Sequence, residues 1–213
     1  MTPPVHALVR VWLSDRPGAL GLVASRIGAV RGDIVAIDVL ERGDGVAIDE
    51  FAVNLADDTV VEVLVREIEQ VDGVSVEEVR VVDHYPDARI DALESAALLC
   101  ESSDLASLRE TLVTHVLDEF LAHWSALVVD EQVVASAGDV PEESMVCALA
   151  LGTAASDAVA AGEAGPDDLA VAHMPSHDAA LLVGREGPPF RLRERTQLKA
   201  LARIADRMWG LLP

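Results

Sequence analysis

Ser14-Asp15-Arg16-Pro17-Gly18-Ala19-Leu20 is the stretch at which the periodicity of the chain changes. Ahead of it Ala7, Val9, Val11 and Leu13 alternate with His6, Leu8, Arg10 and Trp12, the two-residue period of a strand with one face in a core. After it Leu20, Val23, Ile27 and Val30 recur at the spacing of one helix face. Asp15 is placed to cap that helix, and Pro17 falls where a first-turn N–H has no partner to lose. Gly18 leaves outward-pointing amides bare, so a carboxylate can approach them and the positive end of the helix dipole. Read locally, the same residues also make a well-capped turn and nothing more.

Working outward, Arg31-Gly32-Asp33 ends the helix, and a strand from Ile34 to Glu41 puts Val35, Ile37 and Val39 on one face. Arg42-Gly43-Asp44-Gly45 makes a turn. The next strand runs to Leu55 with Phe51, Val53 and Leu55 on one face, and its apolar phase slips between Ile48 and Phe51, which predicts a bulge there. A second helix is expected over Thr59–Val71, carrying Val61, Leu64, Ile68 and Val71 on one side and closed by Asp72-Gly73. Residues 74 to about 84 give a last strand. The order predicts a ferredoxin-like βαββαβ unit, two helices on one face of an antiparallel sheet.

This stretch resembles an ACT domain, a small regulatory module that binds amino acids. Asp15-Arg16-Pro17-Gly18-Ala19-Leu20 matches that family's strand-to-helix signature, and Gly32-Asp33-Ile34 its entry to the second strand. The family often has Asn where this chain has Asp33; an aspartate there repels a ligand carboxylate and can engage an ammonium group instead. The resemblance implies a ligand pocket with Asp15, Arg16, Pro17, Gly18, Ala19 and Leu20 on one side and Asp33 and Ile34 on the other. The second wall commonly comes from a neighbouring copy, so the resemblance also implies a homodimer.

Composition bounds the rest. A chain of 213 residues accommodates two ordinary domains, expected over residues 1–84 and 85–213. Apolar residues at 51% suffice for buried cores, while aromatics at 3% leave those cores to Val, Leu, Ile and Ala. No apolar run approaches the ~20 residues of a membrane helix, and Met1-Thr2-Pro3-Pro4 has neither a basic nor a signal-like stretch, so the expectation is a soluble, cytoplasmic protein that binds no membrane. Cys100 and Cys147 are expected to be reduced, buried thiols. A net charge of -21 argues against nucleic-acid binding. Between residues 90 and 184 there are seventeen Asp or Glu and one basic residue, Arg109; from Arg185 onward seven basic residues face three acids. That tail reads as a helix whose basic side meets acidic neighbours or solvent, or as a surface for an acidic protein partner.

The second half begins after His84-Tyr85-Pro86-Asp87. A helix is expected from Ala88 to about Glu101 with Ile90, Leu93, Ala97 and Leu98 inward, then a longer one after Ser103-Asp104 with Leu105, Leu108, Leu112, Val116 and Phe120, widened by Leu117 and Leu121. Trp124–Val129 and Gln132–Gly138 flank an Asp130-Glu131 turn as a hairpin. Pro141 opens a helix to about Ala161, residues 162–168 form a loop, Leu169–Met174 and Ala179–Gly184 are strands, and a helix bearing Leu198, Leu201, Ala205, Met208, Trp209 and Leu212 closes the chain. Residues 88–213 resemble a GAF domain through the Ala179–Arg185 strand, the Gly187-Pro188-Pro189-Phe190 entry and the Leu198–Ala202 helix. The resemblance implies an α+β fold with a central antiparallel sheet that binds small molecules or mediates dimers. The Asn-Lys-Phe-Asp-Glu set of its cyclic-nucleotide-binding members is absent from the sequence.

No Gly-x-Ser-x-Gly elbow, phosphate loop, His-Glu-x-x-His or dinucleotide fingerprint occurs, so no catalytic residue, metal ligand or cofactor is expected. His173 and His177 have Pro175 between them; a metal there needs loop geometry and further ligands such as Asp178, against ordinary hydrogen-bonding histidines. Two function classes stand: a non-catalytic regulatory protein that senses an amino acid and signals allosterically through the second domain, or an oligomerisation scaffold or regulatory subunit without a ligand. A DNA-binding regulator is disfavoured by the lack of a basic recognition helix.

Overall fold

In a computed structural model, which describes residues 5–85, 88–160 and 165–212, the chain divides into two compact units, residues 1–86 and 87–213. Pro86, Asp87 and residues 162–164 of the expected loop lie outside the described residues. The fold is mixed α+β with two antiparallel four-stranded sheets.

The first unit runs β1 (Val5–Ser14), α1 (Ala19–Ala29), β2 (Asp33–Gly43), β3 (Val46–Leu55), a 3-10 turn (Asp58–Val60), α2 (Val61–Ile68) and β4 (Ser75–Val82). The strand order is β2-β3-β1-β4, every neighbour antiparallel. Ala7, Val9, Val11 and Leu13 of β1 join Ala47, Phe51, Val53 and Leu55 of β3 on one face, and Ala19, Val23 and Ile27 of α1 with Leu64 and Ile68 of α2 close over them. Both helices therefore lie on the same side. Phe51 is fully buried and is the one aromatic ring in a core otherwise made of aliphatic side chains, as the scarcity of aromatics requires.

Two local expectations are corrected. The β1–β3 register is unbroken from Val5 opposite Leu55 to Ser14 opposite Val46, so β3 has no bulge. The irregularities lie in β2, between Ile34 and Ala36 and between Val39 and Glu41. The apolar phase slips because Asp49, not a hydrophobe, occupies the core phase between Ala47 and Phe51, while Ile48 points to the other face opposite Trp12. The second helix is shorter than Thr59–Val71, because the Asp57 carboxylate accepts from the Thr59 amide and tightens the entry into a 3-10 turn.

The second unit contains α3 (Ala88–Cys100), α4 (Leu105–Glu119), β5 (Trp124–Val129), β6 (Gln132–Gly138), α5 (Glu143–Ala154), α6 (Asp157–Ala160), β7 (Leu169–Met174), β8 (Ala179–Gly184) and α7 (Leu192–Trp209). Its sheet has the order β6-β5-β8-β7. Leu127, Ala172, Leu181 and Val183 pack with α4 and α7 on one face, and Ala126, Val128, Val171 and Leu182 pack with α5 on the other. The strands are apolar on both sides for that reason. Asp104 caps α4, accepting from the Ser107 amide at 2.8 Å while its own amide donates to Ser107 Oγ.

Here too the inward residues differ in places. On α3, Ile90, Leu93, Ala97 and Leu98 are exposed, and among the described residues the buried positions are Ser95 and Leu99. Ser95 is admitted to the interior by hydrogen bonds with His115 and Glu119 of α4, each 2.7 Å. Leu121 is exposed with φ 48, just past α4. Pro141 precedes the helix that starts at Glu143, and that helix breaks after Ala154. Cys100 is exposed and Cys147 half-buried; both are free thiols.

Candidate ligand site at the first strand-to-helix turn

The turn after β1 is wider than the sequence suggests. The Asp15 amide donates to Gly45 and the Ala19 amide to Arg16, so α1 begins at Ala19 rather than near Pro17. Its N-cap is Gly18, with φ +90, and not Asp15. That backbone conformation is costly for a residue with a side chain, which accounts for the glycine. A Cβ at Gly18 would meet no described residue within 4 Å beyond its chain neighbours, so no side chain packs against that position. The amides of Gly18, Leu20 and Gly21 donate to no described residue, which leaves a small cluster of N–H groups at the positive end of α1.

Asp15 has a different occupation. Its carboxylate accepts from Arg42 at 2.8 Å. The bulge at the end of β2 makes this possible: with Leu40 inserted, Glu41 pairs with Ile48 and Arg42 with Ala47, which turns Arg42 onto the helix face beside the turn. Arg16, Pro17 and Leu20 are exposed, while Ala19 sends its methyl into the core.

The other predicted wall is elsewhere on the sheet. Asp33 pairs with Asn54, which pairs with His6 at the start of β1, whereas the Gly18 turn follows Ser14 at its end. Eight residue steps of strand separate them, about 26 Å at ~3.3 Å per step. Asp33 is exposed and lies near Tyr85, whose hydroxyl is pushed up in pKa by burial first and also by the Asp33 charge. Ile34 packs against the core. One chain therefore does not bring the two predicted walls together.

Sequence reasoning missed Asp49 and Arg42. Asp49 is 4% exposed and its Oδ1 has no hydrogen-bond partner. Burial raises its pKa above the usual carboxylate range, the Asp15 charge adds to that, and Arg42 opposes it. The signal was present as the break in apolar phase between Ile48 and Phe51.

The second unit holds a cavity of about 350 Å³ lined by residues including Val128, Asp130, Glu131, Cys147, His173 and Asp178. Burial first, then Glu143 and Glu131, push the Cys147 thiol up in pKa, so at neutral pH it is a thiol and a poor nucleophile. Burial depresses His173, which leaves it neutral. His177 does not join it: it bonds Asp206 at 2.9 Å and stacks on Trp209. Among the described residues no group of three or more His, Cys, Asp or Glu is placed to hold a metal, and no helix is long and apolar enough to cross a membrane. Arg185, Arg191 and Arg195 of the basic tail are buried; Arg195 donates to the carbonyls of Pro166 and Leu169.

No family model matches the chain, and no curated protein matches it. Among solved structures it is similar to the ACT domain of a GTP pyrophosphokinase from Chlorobium tepidum, at 18% identity over 38% of this chain and 100% of that one, with a TM-score of 0.31. It is similar to an unknown protein from Galdieria sulphuraria at 12% identity over 96% and 94% of the two chains, TM-score 0.35. A bacteriophytochrome from R. palustris is similar at 12% identity over 81% of this chain and 42% of that one, TM-score 0.42.

Proposed function

We propose that this is a non-catalytic regulatory protein whose first unit binds a small amino acid between two copies of the chain, and that the second unit transmits the bound state. The observation that carries this reading is the pair of site halves at opposite ends of one sheet, joined by an edge strand. Among the described residues β2 pairs only with β3, and its Val35, Ile37 and Val39 are 51%, 39% and 44% exposed. A long edge with exposed β-branched residues is suited to pairing with another strand. Antiparallel pairing of β2 with the same strand of a second copy sets the start of one beside the end of the other. Asp33 of the partner subunit then comes to the Arg42 end, next to the open Gly18 turn. The bare amides there suit a carboxylate. A ligand held by both subunits stabilises one dimer arrangement, and couplings of ~1–3 kcal/mol are enough to alter a partner's affinity severalfold or more.

Calorimetry against the twenty amino acids, with sedimentation of the same samples, tests the reading. At least one amino acid is expected to bind at one per chain, and Val39→Lys on the β2 edge is expected to give monomers that bind none. A stable dimer that binds no amino acid overturns the sensor and leaves a scaffold; full binding by a monomeric Val39→Lys chain overturns the shared site.

A further inference from the structure

The cavity of the second unit follows from strand register and from small side chains. Ala180 of β8 pairs with His173 on one side and with Val128 on the other, so the three stand in one row across the sheet with only a methyl group in the middle. Over that low place α5 presents Cys147, Ala150 and Ala154, residues spaced to share one helix face. Small side chains on the sheet meet small side chains on the helix and leave about 350 Å³ between them. Small-molecule sites span roughly 300–1,000 Å³, mostly apolar with a few polar groups at fixed places. One end of this cavity is acidic. Val129 pairs with both Ala179 and Gln132, which brings Asp130 and Glu131 of one hairpin turn and Asp178 of the other to the same end of the sheet, and all three line the cavity. They are exposed, and no Lys or Arg shares the wall with them. The other polar groups there are uncharged: the Cys147 thiol donates to the Glu131 carbonyl at 3.1 Å, and burial keeps His173 neutral.

We infer that this cavity is a second ligand site, and that it takes a small organic cation, with a primary ammonium group at Asp130, Glu131 and Asp178 and a short aliphatic or aromatic body between Ala180 and α5. The inference stands on the second unit alone and does not depend on the amino-acid site of the first. A primary ammonium group offers three N–H donors to carboxylates that can only accept, and charge strengthens each bond. The apolar body leaves water for Val128, Ala150 and Ala180. An anion finds no positive partner on the wall and meets three carboxylates, so phosphates, nucleotides and carboxylic acids are rejected. An α-amino acid is rejected on the same ground, because its own carboxylate sits beside its ammonium group. The two units therefore take ligands of different classes.

Ligand-observed NMR and thermal melts on the full chain test this, with n-butylamine and 2-phenylethylamine as probes against 1-butanol, 2-phenylethanol, butanoate and 3-phenylpropanoate. The amines are expected to bind saturably at one per chain and to raise the melting temperature, the alcohols to bind more weakly and the acids not at all. Asp130→Asn combined with Asp178→Asn touches only exposed side chains and is expected to weaken the amines about ten-fold, at ~two- to five-fold for each exposed ion pair, and to leave the alcohols unchanged. Ala154→Leu, at an exposed position at the end of α5, is expected to fill the cavity and abolish binding of amines and alcohols alike without lowering the melting temperature. Amine binding left intact by either change is counter-ion attraction to a chain of net charge -21 and overturns the site. Equal weakening of amines and alcohols by the paired Asn changes overturns the place given to the ammonium group. A wild type that binds no amine, or binds the acids as well, overturns the ligand class.

Discussion

Arg185 and Glu194 meet through two parallel hydrogen bonds, Nη1 to Oε1 at 2.7 Å and Nη2 to Oε2 at 3.0 Å, inside the second unit. The remaining donors of the same guanidinium go to the carbonyls of Phe120, Pro188 and Pro189, and its plane lies 4.1 Å over the Phe190 ring. All five N–H groups are used. This side chain holds the Gly187-Pro188-Pro189-Phe190 entry together with the Phe190 amide, which donates to Asp167 at 2.8 Å. Arg185→Met takes the guanidinium donors from Glu194, which keeps the Arg191 amide, and from three carbonyls, and is expected to cost about 3–5 kcal/mol. Arg185→Lys keeps the charge with fewer, differently placed donors and is expected to recover only part of that. Urea unfolding followed by tryptophan fluorescence measures both.

Asp49 gives a stability signature independent of any ligand. Its folded-state pKa is raised by burial, so folding disfavours its charged form. The penalty is absent below the unfolded pKa of about 4 and grows as pH rises through the folded value. Asp49→Asn is therefore expected to melt higher than wild type at pH 7, with the gap closing as pH falls towards 4. Thermal melts across that range check it; a gap that does not change with pH would contradict the burial argument.

Asp206 has the opposite sign. Burial pushes its pKa up, but hydrogen bonds from His177 and Ser176 outweigh that and the folded value is lowered. Its contribution to stability is present above the unfolded pKa of about 4 and is lost as pH falls through the lower folded value. The second unit of Asp206→Asn is expected to be less stable than wild type at neutral pH, and the difference is expected to shrink in acid. Denaturant titrations at pH 7 and pH 3 give the two values.

Gly184 is fixed by contact. A Cβ there would run into the Trp124 ring, which stands opposite it on the β5–β8 ladder. Gly184→Ala is expected to cost about 1–3 kcal/mol through overpacking and to shift the Trp124 emission. Trp124→Leu in the same background is expected to restore part of the loss.

Much of the architecture could be read directly. β1 announced itself because every second residue from Ala7 to Leu13 is a core hydrophobe, and the Asp130-Glu131 hairpin because two apolar runs flank a polar pair. The misreadings share a cause: they concern residues whose position is decided by partners far along the chain. Ser95 is interior because His115 and Glu119 meet it, while Leu93 faces outward although it fits a helical stripe. The β2 bulges leave no mark in the sequence, since an edge strand exposes side chains on both faces. At the candidate site the turn at Gly18 was legible, whereas the Arg42–Asp15 pair and the burial of Asp49 were not. Asp49 showed itself as an anomaly in phase, for which a bulge in β3 was the wrong remedy.

The distance between the Gly18 turn and Asp33 on one sheet has a genetic consequence if each pocket draws one wall from each chain. A chain damaged at the turn and a chain damaged at Asp33 would each be inactive as a homodimer. Mixed in one cell, they form hybrids in which one pocket inherits both lesions and the other inherits none, so two null alleles complement each other. A pocket built wholly within one chain would show no such rescue.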